Sequence, residues 1–359
     1  PSKEKCFNFL SNLSESENTI FLFDGHYLPG LSDRFLKSKN LKVIDQSESD
    51  FAHKLNVFEE YMIGPEDVLR SINSAYSTNF LIMQFNGEND EPLLKVKNIE
   101  INESQDYLFS TPRILIDVQA GATQIEFLFS SKNTYFSNVV LDVFIGTNCQ
   151  LNLSLLLEPN ENKSLFVSNR VHMEENGKLN TTSLLFGSEL TRLEQEVFAE
   201  GENTFSNLAC AYVCGGHQQV DVRSIINHDS PKGKSHQLIK GILDEKSRAT
   251  VNGRIFIHEG AQKVDANLLN NNLLLCESAE VNTKPELEVE ADDVKAAHGA
   301  TVGQLNKEEL FYLESRAINK DLAKRLLLKG FMVDSLNPGN LHQDSQLLNA
   351  FEVYFDRKY

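Results

Sequence analysis

Few cysteines occur in these 359 residues, and the five present, Cys6, Cys149, Cys210, Cys214 and Cys276, form no Cys-x-x-Cys pair. An odd and sparse count builds no disulfide framework. It points to a reducing, cytoplasmic compartment. Also missing is any apolar run of the ~18 residues a membrane helix needs, so no membrane association is expected. The opening Pro1-Ser2-Lys3-Glu4-Lys5 lacks the apolar core of a secretory signal. Basic charge is scarce: 34 Lys and Arg face 51 Asp and Glu, a net of −17. That sign repels phosphate and argues against a nucleic-acid partner. It fits a solvated surface or a basic partner.

Nucleotide and hydrolase signatures are missing too. Gly233-Lys234-Ser235 looks like the end of a P-loop, but the position that must hold the loop's first glycine is His228. There is no Gly-x-Gly-x-x-Gly after a strand, no Gly-x-Ser-x-Gly elbow and no His-Glu-x-x-His helix. His258-Glu259 is a neighbouring pair at a strand end. Adjacent strand residues point to opposite faces, so the two do not readily share a metal.

What is present is a change of texture along the chain. Residues 1–105 mix short helical patterns (Phe7–Leu13, Val68–Ile72) with strands such as Thr19–Phe23, which runs into the turn Asp24-Gly25-His26. Loop chemistry continues at Pro29-Gly30 and Ser32-Asp33. From 106 to 300 strand candidates follow one another almost without helix. They include Thr123–Phe129, Val139–Ile145, Gln150–Leu157, Lys178–Phe186, Val220–Ile226, Gln237–Leu243, Thr250–His258 and Lys263–Leu275. Turns fall at Gly146-Thr147-Asn148, Glu175-Asn176-Gly177, Gly201-Glu202-Asn203 and Gly215-Gly216, a spacing of roughly 14 residues per strand with no strict repeat. Such a block is a sandwich, a barrel or a β-solenoid. Asn270-Asn271-Asn272 tilts towards the solenoid, whose stacked coils ladder amides. Periodicity leaves the three open.

Residues 301–359 read as helical. Asn306 with Glu309 makes a capping box ahead of Leu310, Phe311 and Leu313. Asn319 caps a second helix whose Leu322, Ala323, Leu326 and Leu327 share a face; Lys329 and Gly330 read as its end. Asn337-Pro338-Gly339 is loop, and Leu347–Phe355 is a third amphipathic segment.

Of the reactive side chains, Cys210 and Cys214 share a strand face but stand roughly 13 Å apart, and read as buried thiols. His217, His228, His236 and His258 read as outward polar or satisfied core residues. Glu286, Glu288 and Glu290 alternate with Leu287 and Val289, which makes a solvated face a better reading than a metal site. His298 differs. It stands alone between small neighbours, Ala297 and Gly299, where the β block meets the helices. It is either a junction residue or an imidazole that another chain or a metal can approach.

Residues 240–332 resemble one family throughout. The stretches that carry the likeness are Gly253-Arg254-Ile255, Ala261–Ala266, Asn270–Leu275, Thr283–Leu287, Ala291–Lys295, His298–Gly303 and Phe311–Arg316, with a weaker echo from Phe23 to Asp33. They are similar to the SufD family, of the SufB/SufD superfamily in the SUF iron–sulfur cluster assembly system. The resemblance implies a right-handed parallel β-helix core (106–300), flanked by an N-terminal α/β region (1–105) and a C-terminal helical region (301–359). It implies a scaffold subunit without turnover chemistry, which pairs with SufB edge to edge and docks the SufC ATPase. The nascent iron–sulfur cluster would form only in that complex; flavin is left open. His298 matches the histidine placed near the SufB interface, a candidate cluster or metal ligand shared with SufB. Phe311, Tyr312 and Arg316 fall where SufC would dock, though the two aromatics read equally as core. Ala296 stands where the family often has Cys. Asn270 and Gly299 stand where SufB-like chains carry cysteine and glutamate, so the chain is SufD-like. Two alternatives remain, a β-helix carbohydrate-active enzyme and a stand-alone homodimer. A glycan-cleavage assay separates the first, and sizing with and without SufB the second.

Overall fold

A computed structural model of the chain describes residues 6, 18–28, 30, 36, 38, 40–46, 51–62, 68–77, 80–87, 93–99, 108–131, 134–159, 162–336 and 345–358. The patterns at Phe7–Leu13, Ser32-Asp33 and Asn337-Pro338-Gly339 lie outside them. The first strands are β1 Thr19–Phe23, β2 His26–Tyr27, β3 Leu41–Asp45, β4 Phe80–Phe85, β5 Leu94–Ile99, β6 Leu108–Ser110 and β7 Arg113–Val118. Helices α1 Phe51–Met62 and α2 Val68–Tyr76 stand between β3 and β4. Then come β8 Ala122–Ser131, β9 Thr134–Ile145, β10 Gln150–Pro159, β11 Ser164–Met173, β12 Lys178–Phe186, β13 Leu190–Ala199 and β14 Phe205–Cys214. The series ends with β15 Gln219–His228, β16 Lys234–Leu243, β17 Arg248–Ile257, β18 Asp265–Leu274, β19 Glu280–Val289 and β20 Lys295–Gly303. Helices α3 Lys307–Ser315, α4 Lys320–Val333 and α5 Gln346–Lys358 follow.

From β7 on, successive strands alternate between two sheets, so the chain winds as a parallel β-solenoid. One sheet runs β2-β1-β5-β8-β10-β12-β14-β16-β18-β20, the other β19-β17-β15-β13-β11-β9-β7-β4-β3. Beyond β7, residues in register on neighbouring coils lie 26 to 32 positions apart, as Ser164 with Leu190 and Arg248 with Glu280. A coil is thus two of the 14-residue steps legible in the sequence. The strands of the first 105 residues extend both sheets, and β2 and β3 close that end with antiparallel pairing.

Each coil turns on a residue in the left-handed region: Asn148, Asn176, Asn203, Lys232 and Lys263, at φ 56–64°. Among residues with a Cβ, asparagine and aspartate tolerate that conformation best. At three of the turns the side chains also stack, with Asn176 Nδ2 donating to Asn148 Oδ1 at 3.0 Å and Asn203 Nδ2 to Asn176 Oδ1 at 2.7 Å.

Alternation decides which face is inside. β13 reads Leu-Thr-Arg-Leu-Glu-Gln-Glu-Val-Phe-Ala with every second residue buried. Leu193 and Val197 join the central core, while Arg192, Glu194 and Glu196 pair outside with Asp221, Arg223 and Arg170. The first sheet is different, because its outer face is covered as well. Leu128, Leu156, Leu184, Phe186, Val213 and Ile242 on that face pack under Leu328, Met332, Leu347, Phe351 and Phe355 of α4 and α5. Apolar runs such as Leu155-Leu156-Leu157 follow from burial on both faces. Two buried charges fix this layer. Lys240 Nζ donates to Phe331 O at 2.8 Å and pairs with Asp334 at 3.1 Å. Glu126 accepts from Ser345 Oγ at 2.6 Å and from the first N–H of α5 at 2.9 Å. On the outer face of the other sheet, Asp142 joins Arg70 of α2 to Arg113 of β7, all three buried.

Three helical details depart from the sequence reading. Gly330 does not end α4. The helix continues to Val333 and caps at Asp334 in right-handed geometry, because Phe331 and Met332 still have the sheet to pack on. Leu322 and Leu326 are exposed, and the buried face is Ala323, Leu328 and Met332. α3 buries no residue at all, so Phe311 and Tyr312 are not core.

Candidate functional site

Among the described residues, no strand caps the far end of the solenoid. β19 and β20 are the last strands of their sheets, and each has one hydrogen-bonding edge without a strand on it. Their inward positions therefore face outwards along the axis. Val289 and Val302 occupy core columns yet are 41% and 49% exposed. β20 is Lys-Ala-Ala-His-Gly-Ala-Thr-Val-Gly. Past Lys295 it carries no charge, no proline and only one large apolar residue. Edge strands that must stay unpaired are normally guarded by lysine, proline or bulges. β19 has such guards in Lys284 and Pro285 at mid-strand; β20 has one lysine, Lys295, at its first position.

His298 sits in the middle of this strand. It pairs in register with Leu268, a fully buried core residue, so its imidazole continues an inward column at the point where no further coil covers it. The small residues around it leave the ring exposed. Asn270, one coil earlier, is buried and accepts from Asn272 Nδ2 at 3.0 Å. Asn272 Oδ1 in turn accepts from the Tyr212 hydroxyl at 2.5 Å. The acids of β19 are held in surface pairs, Glu288 with Arg254 at 2.6 Å and Glu286 with Lys284 at 2.5 Å. No group of three His, Cys, Asp or Glu among the described residues is arranged to hold a metal ion. One imidazole outside any such group can contribute to a metal or cluster site together with donors from outside the chain.

A second exposed surface lies on α3 and α4. Phe311 is 70% exposed and Tyr312 56%, and the Arg316 guanidinium lies 5.1 Å from the Tyr312 ring centroid. Leu322 and Leu326 of α4 add apolar area. The helix starts are well formed: Asn306 accepts from the N–H groups of Glu308 and Glu309, and Asn319 from that of Leu322.

Other reactive groups are structural. Cys210 and Cys214 are buried, and burial pushes both thiols up to about 12. Neither forms the nucleophilic thiolate at neutral pH. His258 pairs with Asp229 at 2.9 Å, as a turn residue. His228, at the position where a P-loop would have glycine, is fully buried with Nε2 2.9 Å from Ser235 Oγ. Burial pulls its pKa from 6.5 down to about 4. The sign follows from that depression. Its contribution is complete above pH 6.5 and is lost as pH falls towards 4, about 3 kcal/mol in all. Urea midpoints at pH 7.5 and 4.5 should converge in His228→Gln relative to the parent; an unchanged gap contradicts the assignment.

No helix among the described residues is long and apolar enough to cross a membrane. Comparison with known proteins adds the family. Residues 99–331 match the family described as SUF system FeS cluster assembly, SufBD core domain. The chain is 28% identical to the iron–sulfur cluster assembly protein SufD of Escherichia coli over 323 residues, 89% of this chain and 74% of that protein. It is 32% identical over 203 residues to an iron–sulfur cluster assembly SufBD family protein of Synechocystis, covering 56% of this chain and 45% of the relative. With the SufD protein of Bacillus subtilis it shares 26% over 246 residues, 67% of this chain and 56% of that protein. The matches thus span about half the length of the Synechocystis and Bacillus relatives. A parallel solenoid with terminal helices, matched over its coils by this profile, belongs to the SufBD family of iron–sulfur cluster assembly proteins.

Proposed function

We propose that this chain is a scaffold subunit for iron–sulfur cluster assembly, with no turnover chemistry of its own. Its open end pairs with a SufB-type sister subunit. The exposed face of α3 and α4, with Phe311, Tyr312 and Arg316, docks the SufC ATPase. The nascent cluster is cargo of the assembled complex, and His298 supplies one of its ligands or holds iron beside ligands from SufB.

One observation carries this reading: past Lys295, β20 is an edge without Lys, Arg, Asp or Glu that no described strand covers, with an exposed histidine on its inward column. A bare edge of this kind takes up another strand through main-chain hydrogen bonds. Pairing there would place donors from the partner opposite His298.

The test is reconstitution. His298→Ala should leave folding, SufB pairing and SufC binding intact and lower the yield of cluster in the complex. Unchanged cluster yield contradicts the role of His298. Phe311→Asp with Tyr312→Asp should abolish capture of SufC at unchanged stability, since α3 buries neither ring. Retained capture places the docking surface elsewhere.

A further inference from the structure

The lumen of the solenoid is mainly apolar in its first coils and carries inward polar side chains from β11 to β18, from Asn169 to Asn272. On β11, β13 and β15, Asn169, Gln195 and Ser224 stack in register on the inward face. Thr181 and Ser183 point inwards from β12, the strand between β11 and β13 in the chain. All five are more than nine-tenths buried.

Ser224 is satisfied. Its hydroxyl donates to Gln237 Oε1 at 2.6 Å across the lumen, and Gln237 Nε2 reaches Arg254 O at 3.3 Å. The preceding coil is not closed in that way. Both amide atoms of Asn169, the Nε2 of Gln195 and the hydroxyls of Thr181 and Ser183 meet no hydrogen-bonding protein atom. Buried amides and hydroxyls in native proteins are almost always bonded, to protein or to ordered water, because losing both is costly.

The lining identifies what fits. Asn169 offers donors and an acceptor, Gln195 a donor, and the two hydroxyls do either. No charged side chain points into this stretch, so an ion would gain no counter-charge there. A neutral molecule that both donates and accepts matches the set, and water is the smallest. Neighbouring coils bound the stretch on both sides. Leu141, Leu153 and Leu155 hold the register positions before Asn169, Thr181 and Ser183. Towards the open end Leu208 and Cys210 follow Thr181 and Ser183, and the Ser224–Gln237 pair follows Gln195.

We infer that the lumen between β11, β12 and β13 is a closed internal hydration site, holding water bound by Asn169, Thr181, Ser183 and Gln195. Water there exchanges only when the solenoid opens locally, so its residence is long compared with surface water.

Magnetic relaxation dispersion of the water oxygen measures such long-lived molecules in the intact chain. The parent should show a long-lived component, and N169L/Q195L should lose part or all of it while retaining the fold. If that double variant does not fold, Thr181→Val, which conserves shape and removes only the hydroxyl, should lower the component. A component unchanged in the folded variants, or absent from the parent, overturns the inference. So does a crystal structure in which the four side chains bond one another directly.

Discussion

Leu328→Asp should strip the C-terminal helices from the solenoid, at a cost on the order of 4 kcal/mol. Leu328 is fully buried, in the layer where α4 and α5 cover the outer face of one sheet. The substitution removes a large apolar side chain from that layer and adds a carboxylate where Lys240 is already paired with Asp334. The coils contact mainly their neighbours, so the damage should stay local. Two unfolding transitions are expected in place of one, with proteolysis confined to the segment after β20. Leu326→Asp is the control. Two residues away and exposed, it should change stability by no more than about 0.5 kcal/mol while weakening SufC capture. Equal destabilisation by the two would mean that the packed face of α4 has been misassigned.

Asp142→Ala should cost about 3–5 kcal/mol, the usual penalty for breaking a buried ion pair from one side. Asp142 accepts from Arg113 Nε and Nη2 at 3.2 and 3.1 Å and from Arg70 Nη2. Both guanidiniums are almost wholly buried. Around this triad, Asn73 and Asn138 tie α2 to the sheet: Asn73 Nδ2 donates to Asn138 O at 2.8 Å, and Asn138 Nδ2 donates to Leu69 O at 2.8 Å. The variant should therefore release α2 first, seen as faster amide exchange over Val68–Tyr76 at a lower urea midpoint. Asp142→Asn, which keeps the shape but not the charge, should fall between. A loss below about 1 kcal/mol would rank the triad with surface pairs.

How much of this was legible in the sequence depended on the range of the interactions. The turns were, because left-handed backbone at Asn148, Asn176 and Asn203 is a local demand with local residue preferences. The caps at Asn306 and Asn319 were legible for the same reason. β11 and β13 were not picked out. Their inward faces carry Asn169 and Gln195 among the aliphatics, and the outward charges of β13 resemble a solvated helix. Gly330 misled, since its neighbours favour a helix end while the sheet beneath favours continuation. The family resemblance pointed to His298, and only the register with Leu268 places it on an inward column. The Asp142 triad and the Glu126 anchor join residues 29 to 220 positions apart, with no sequence signal linking them.

Amide hydrogen exchange, measured for the chain alone and after mixing with a SufB-type subunit, tests the open-ended scaffold most directly. The account predicts that Lys295–Gly303 exchanges readily in the free chain and becomes protected in the complex, with β11 and β13 unchanged. A stable complex in which Lys295–Gly303 exchanges as it does alone would contradict it.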